Sequence, residues 1–197
     1  MTAQIQPRAG TDISAESGAW RFTRESIIIG TTAEDLLQLY HQEFDALRIR
    51  AAARQVLTRE EFFGQLEDHR VDKYVAWESA GEPVGIITLT RHLQSVPWIS
   101  PEYFAARYPE QWARNAIYYL GVACARATPQ MPSFLDTAVR MAVEALAMER
   151  PVIAYDLCSY NNSVLGFSER IAELFRRNSP YRPEELDSQI YYGVNFA

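Results

Sequence analysis

Apolar residues recur along this chain with two different periods, and the periods divide it into helices and strands. Leu36, Leu37, Tyr40, Phe44 and Leu47 stand at helical spacing, so they share one face of a helix. Thr32 lies three residues before Asp35. That capping-box arrangement predicts a helix from Thr32 to about Arg54. Thr58 and Glu61 repeat the arrangement ahead of Phe62, Phe63 and Leu66, which predicts a second, short helix. Leu135, Ala138, Val139, Ala142, Val143 and Leu146 form the clearest stripe. Ser133 precedes Asp136 by three, and Pro151 cannot continue the helix, so it is predicted from Ser133 to Arg150. A last helix opens at Asn161 or Asn162 and carries Ile171, Leu174 and Phe175.

Between the helices lie short apolar runs bounded by turn residues. Ser26–Gly30 reads as a buried strand ended by glycine. Lys73–Trp77 and Val84–Thr90 flank the turn Ser79–Pro83, which predicts a hairpin. Ala116–Ala123 has little polar content and reads as a central strand. Val152–Cys158 is the next strand, and Gln189–Phe196 is predicted to close the chain as another. The proline- and aromatic-rich connection from His92 to Arg114 holds one predicted helix, Pro101–Arg107. Its length fits either a functional loop or a satellite cluster packed under the sheet. The resulting order is β-α-α-β-β-loop-β-α-β-α-β, with an antiparallel hairpin early and a crossover helix later. It predicts a mixed α/β (α+β) fold: one central mixed sheet of about six or seven strands flanked by helices.

Composition narrows the function more than the fold. The chain has 197 residues, 48% of them hydrophobic, which suits a single domain with a real core. Residues 1–18 are polar and rich in small residues, and a disordered tail is expected there. The domain proper is expected over residues 19–197. A net charge of −6 without a basic cluster argues against a nucleic-acid partner. No apolar run reaches membrane-spanning length, and the first residues lack the apolar core of a signal peptide. A cytoplasmic protein is therefore expected. Cys124 and Cys158 both sit in apolar runs and read as small core residues in a reducing compartment. His41, His69 and His92 are scattered without a metal-ligand pattern, so no metal is expected. A homodimer is left open.

One stretch carries a resemblance. Leu120-Gly121-Val122 ends the fourth predicted strand, and Leu135 follows thirteen residues after Val122 in a helix. With the element order from Ser26 to Phe196, this resembles the GNAT superfamily of N-acetyltransferases. The family pattern there is L-x-V-x-x-x-x-(R/Q)-G-x-G-x-(G/A). Ala127 occupies the basic position, with Arg126 one place earlier, and Thr128, Gln130 and Pro132 stand at the small-residue positions. In such a loop, backbone N–H groups and a helix N-terminus hold a pyrophosphate. Pro129 and Pro132 each remove a donor, and Asp136 in the first turn repels phosphate. A second match pairs Leu157 with Asn161, and the family's usual tyrosine acid falls on Ser168.

The resemblance implies transfer of an acyl group, acetyl above all, from a coenzyme A thioester to a small-molecule amine. Acetyl-CoA or another acyl-CoA is then the cosubstrate, and the cofactor contacts fall on Val122, Ala123, Cys124, Arg126, Thr128, Gln130, Ser133, Phe134 and Asn161. Two alternatives stay open. One is an acyl-carrier-protein thioester donor, as in proteins similar to N-acyl amino-acid or acyl-homoserine-lactone synthases, where losing the pyrophosphate cradle costs less. The other is a GNAT-like binding module without turnover. Catalysis needs a base for the amine and an acid for the thiolate. Asp156 is the sharpest base candidate, because a carboxylate in the run VIAYDLC must find a partner. His92 and Glu102 are further candidates. Tyr160 and Ser168 are the acid candidates, with Tyr119 and Tyr155 as substitutes.

Overall fold

A computed structural model describes residues 16–17, 20–127 and 131–196 of the chain. Among the described residues six strands form one mixed sheet in sequential order: β1 (Glu16–Ser17), β2 (Trp20–Glu25), β3 (Val71–Trp77), β4 (Pro83–Thr90), β5 (Ile117–Ala125) and β6 (Val152–Ala154). The first five run antiparallel to their neighbours, and β6 runs parallel to β5. The parallel step follows from the crossover through α5 (Met131–Leu146), since parallel strands cannot be joined by a hairpin.

The other helices are α1 (Thr31–Phe44), α2 (Arg59–Glu67), α3 (Pro101–Arg107), α4 (Pro109–Ala113) and α6 (Phe167–Asn178). Helix α1 lays Leu36, Leu39 and Tyr40 against Val75, Ile86, Val122 and Cys124, with Phe62 and Leu66 of α2 in the same cluster. Beside it, α3 and the residues ahead of it cover the start of β5: Leu93, Val96 and Phe104 pack on Ile117, Tyr119 and Ala154. The long aromatic connection is thus a packed cluster under the sheet. Helix α5 covers β2 to β5 through two clusters of its own.

Several elements form where the pattern placed them. The capping box of α2 is complete: Glu61 N–H donates to Thr58 Oγ1, and the Thr58 N–H donates to the Glu61 carboxylate. The β3–β4 hairpin forms where expected, with its register shifting between Ala76 and Trp77 next to the turn. Others differ. Ser26–Gly30 is not a strand. Ile28 is buried, Ile27 and Ile29 are exposed, and the first long strand is Trp20–Glu25. The Ile28 N–H bonds instead to the Leu66 carbonyl of α2 at 2.9 Å. Helix α1 starts one residue earlier than its capping-box threonine, with Gly30 as N-cap at φ 68, a positive φ that suits glycine. Within the expected tail, Glu16 and Ser17 pair with β2. Helix α5 begins at Met131, so Ser133 lies in its first turn rather than before it. Helix α6 begins at Phe167 behind a left-handed Gly166, and Asn161 and Asn162 lie instead in a π turn, Tyr160–Val164. Strand β6 stops at Ala154. Gln189–Phe196 is exposed and is not part of the sheet.

Two contacts hold the layers in register. Phe134, in the first turn of α5, is 1% exposed and packs on Gly85, where an added Cβ would lie 2.7 Å from its ring. Trp20 and Phe22 enclose the same ring at 5.8 and 5.6 Å. Lys73, the chain's single lysine, is fully buried on β3. Its ammonium donates to the carbonyls of Ser26 (2.7 Å) and Asp68 (2.6 Å), tying the exits of β2 and α2 together.

Gly85→Val drives a side chain into the Phe134 ring. It is expected to cost about 1–3 kcal/mol, read as a lowered urea midpoint at unchanged slope. Burial, opposed by Asp68 and Asp72, pushes the Lys73 amine down to about 8 from 10.5. The unfolded chain therefore holds that proton more tightly. Below pH 8 the cost of the buried charge is present in full, and it is relieved as pH rises towards the unfolded value. Relative to Lys73→Met, the wild type is expected to gain stability between pH 7.5 and 9.5. Denaturation curves of the two proteins at both pH values show whether the gap moves in that direction.

Candidate functional site

Strands β5 and β6 begin paired and then part. Their register runs through Ile117↔Val152, Tyr118↔Ile153 and Tyr119↔Ala154 and ends there among the described residues. Beyond it β5 continues from Leu120 to Ala125 along β4 alone. The chain after Ala154 leaves the sheet for the π turn. The result is a wedge with its apex at Tyr119 and α5 following from its open end.

The apex is held by side chains. Trp98 Nε1 donates to the Tyr119 hydroxyl at 3.0 Å, and that hydroxyl donates to the Asp156 carboxylate. The Tyr119 ring is buried in the α3 cluster. Burial first, then the charge of Asp156, raises its phenol well above the ordinary value of 10, so Tyr119 stays protonated and serves as a fixed donor. Asp156 is exposed and lies outside the strand. The partner that its position called for is Tyr119.

The edge of β5 that faces the wedge can be assigned from the ladder. Arg126 N–H donates to the Val84 carbonyl at 2.8 Å. Backbone groups of successive strand residues point to opposite sides. Cys124 therefore shares the β4 side with Arg126, while Ala123 and Ala125 present N–H and C=O to the wedge. A β-bulge sets Gly121 and Val122 against the single residue Thr88, and Thr88 Oγ1 takes the Val122 N–H at 2.8 Å. An added Cβ on Gly121 would come within 3.0 Å of that hydroxyl oxygen.

Of the expected contacts, Ala123 is thus well placed, while Val122 and Cys124 turn their backbone to β4 and bury their side chains in the α1 cluster. The Cys124 thiol is pushed up to about 12 by burial, with the charge of Glu43 adding to it. Phe134 is core and closed off by Gly85. Arg126 reaches Glu78 and Glu82 at 3.7 and 3.8 Å. Asn161 lies on the π turn that borders the wedge. Thr128 and Gln130, and the side chain of Ser133, lie outside the described residues.

The acid candidates separate. The Tyr160 hydroxyl accepts from Arg50 at 2.6 Å, with the guanidinium 4.8 Å from the ring centroid. Its ring leans on the α1 cluster beside Cys158. Ser168 is one element further on, half-buried in the first turn of α6. Tyr155 is half-buried, and burial raises its phenol above 10. His92 caps a 3-10 turn and Glu102 accepts from Ser100, both in the α3 region.

The described residues of the loop after β5, Arg126 and Ala127, do not present a free anion cradle. Ala127 N–H, the last described donor before α5, bonds to the Glu43 carboxylate at 3.1 Å. Asp136, in the second turn of α5, accepts from Asn178. Pro129 and Pro132 have no N–H to give, and Glu43 puts negative charge at the described part of the junction. The bulge at Thr88, Trp98 over Tyr119, Arg50 and Glu43 were all missed in the sequence, because each acts on a partner 21 to 110 residues away. Two surface hollows, lined by Glu110, Gln111, Arg114 and Arg150 and by Arg91, Leu93, Gln94, Trp112, Asn115 and Ile117, lie by the start of β5, away from the wedge. Among the described residues no group of side chains suits a metal ion, and no helix is long and apolar enough to cross a membrane.

Comparison with known proteins gives neighbours in fold only. No profile of a known protein family matches the chain, and no curated protein matches it. Among solved structures it is similar to an aminoglycoside acetyltransferase from an uncultured soil metagenomic sample. In complex with sisomicin the TM-score is 0.48 at 13% identity, over 89% of this chain and 97% of that one. In complex with trehalose the TM-score is 0.49 at 13% identity, with the same coverage. It is also similar to an acetyltransferase from Trypanosoma brucei, with TM-score 0.45 and 12% identity over 87% of this chain and 99% of that one.

Replacing Glu43 by Gln removes a charge from the junction and keeps the shape. The variant is expected to bind coenzyme A about tenfold more tightly than the wild type, a gain of about 1.4 kcal/mol, with binding of uncharged pantetheine unchanged. Calorimetric titration of both ligands checks it.

Proposed function

We propose that this chain is an acyltransferase of GNAT type that takes its acyl group from a thioester and delivers it to a small-molecule amine. The observation that carries the reading is the wedge between β5 and β6. It leaves one edge of β5 over Leu120–Ala125, including Ala123 and Ala125, without a strand partner among the described residues. A pantetheine arm carries amides and fits such an edge as an added strand would.

With the arm along β5, the thioester sits towards the apex. Asp156, oriented by Tyr119, takes the proton from the amine. The nitrogen attacks the thioester carbonyl, and a β5 N–H facing the wedge receives the oxyanion. The tetrahedral adduct collapses, the carbon–sulfur bond breaks, and the thiolate leaves. Tyr160 accepts from Arg50 and keeps its own proton to give to the thiolate.

Coenzyme A is the donor class to test first. The occupied Ala127 N–H favours a second reading, in which the arm arrives on an acyl carrier protein and the adenosine diphosphate is absent.

Thiol release from acetyl-CoA, longer acyl-CoAs, acyl-pantetheine and a loaded carrier protein, over a panel of amines, tests the reading. Amine-dependent release from at least one donor is expected. If no donor reacts and none binds, the transferase reading fails. Asp156→Asn is expected to lower kcat about 10²- to 10³-fold with little change in KM for the thioester, while Tyr119→Phe loses less because it acts through Asp156.

A further inference from the structure

Two opposite charges stand on the border of the wedge, and both are exposed. One is the carboxylate of Asp156, held by the Tyr119 hydroxyl. The other is the guanidinium of Arg50, which follows the 3-10 turn Asp45–Ile49 at the end of α1. Arg50 is remote from the wedge in sequence. It reaches the border because its Nη1 donates to the Tyr160 hydroxyl of the π turn at 2.6 Å, with the guanidinium 4.8 Å from the ring centroid. Tyr160 leans on the α1 cluster and Tyr119 lies in the α3 cluster beside it. Helix α5 packs through other clusters, on the opposite face of the sheet. The two charges are therefore held on one face. Asp156 and Tyr160 are four residues apart, so their Cα atoms lie within about 14 Å of each other.

Arg50 differs from the arginines around it in what it holds. Arg48 pairs with Asp45 at 3.0 Å, Arg54 with Glu61 at 2.7 Å, and Arg59 with Glu34. Among the described residues Arg50 meets no carboxylate, only a phenol, which takes one of its N–H groups. Carboxylates are not scarce, since the chain has 25 acidic residues against 19 lysines and arginines. A guanidinium offers five N–H groups in a planar fork that matches a carboxylate. The donors that Tyr160 does not use are left for a ligand. A donor phosphate is the other anion that a guanidinium binds. Its place is the outer end of the wedge, where the Ala127 N–H meets Glu43, whereas Arg50 stands at the π turn. An acceptor with a positive and a negative group answers both exposed charges. We infer that the acceptor amine also bears a carboxylate, as amino acids do, with Arg50 gripping that carboxylate while Asp156 receives the ammonium. This rests on the acyltransferase reading above and narrows its acceptor.

Calorimetric binding and thiol release on the full chain test this, with glycine, leucine, phenylalanine, glutamate and lysine each set against its own carboxamide. At least one amino acid is expected to bind at least about tenfold more tightly than its carboxamide. Arg50→Gln is expected to bring that pair within about twofold while the KM for the thioester stays within about twofold. Arg50→Lys, which keeps the charge but not the fork, is expected to retain part of the preference. Matching melting curves of the two variants show that both fold. The inference is overturned if no amino acid exceeds its carboxamide or if the preference survives in Arg50→Gln. It is also overturned if Arg50→Gln raises the thioester KM instead, since Arg50 then serves the donor. Amine turnover without a carboxylate preference sinks this inference and leaves the acyltransferase reading standing. Arg50-dependent binding of an amino acid, with no thiol released from any donor, upholds the subsite and removes the transferase reading.

Discussion

Everything at the candidate site depends on where the β5–β6 ladder stops. Two parallel strands pair for three residues and then separate, and the separation is enforced from both sides. On one side Tyr119, wedged between Trp98 and Asp156, anchors the last paired position of β5 into the α3 cluster. On the other, the bulge at Gly121 and Val122 turns β5 so that its next side chains bury against α1. A bulge raises local twist and re-aims a strand. The free edge is a consequence of packing on both halves of one strand, not of a weak β6.

The same packing decides which groups of β5 are offered. Cys124 and Val122 hold the core and spend their backbone on β4, so the residues with small side chains, Ala123 and Gly121, are left at the surface. An extended ligand needs backbone donors and acceptors without bulk above them, and this arrangement supplies that. At the outer end of the wedge the chemistry changes sign. Glu43 on the Ala127 N–H puts a carboxylate where a phosphate would otherwise find a donor. The wedge thus suits an uncharged extended ligand along β5 and disfavours an anion at its outer end.

Stability and site share components. Phe134 fills the space that Gly85 leaves, which sets the distance of α5 from the sheet. Lys73 ties the turns on the opposite side. The β6 end is fastened through Asn178 of α6, which donates to Asp136 of α5. Its helix is half-covered and its strand is short.

The alternation and helical periods by themselves determined the hairpin, the crossover through α5, the capped α2 and the mixed sheet, because these follow from near neighbours and from the shape of one strand or helix at a time. Asp156 drew attention in the sequence as a carboxylate in an apolar run, and Leu120–Val122 through the resemblance to a family pattern. Tertiary structure alone decided the rest. Ser26–Gly30 has a strand's composition, but the Ile28 N–H bonds to the Leu66 carbonyl of α2 and not to a strand. Gln189–Phe196 has one too, but a strand needs an adjacent edge to pair with, and composition does not supply one. Val122 and Cys124 were expected in the site and lie in the core, because a single extra residue opposite Thr88 reverses which way each side chain points. Glu43, Trp98 and Arg50 leave no trace at the positions they act on, since the contacts are made across the fold and exist only once the sheet is assembled.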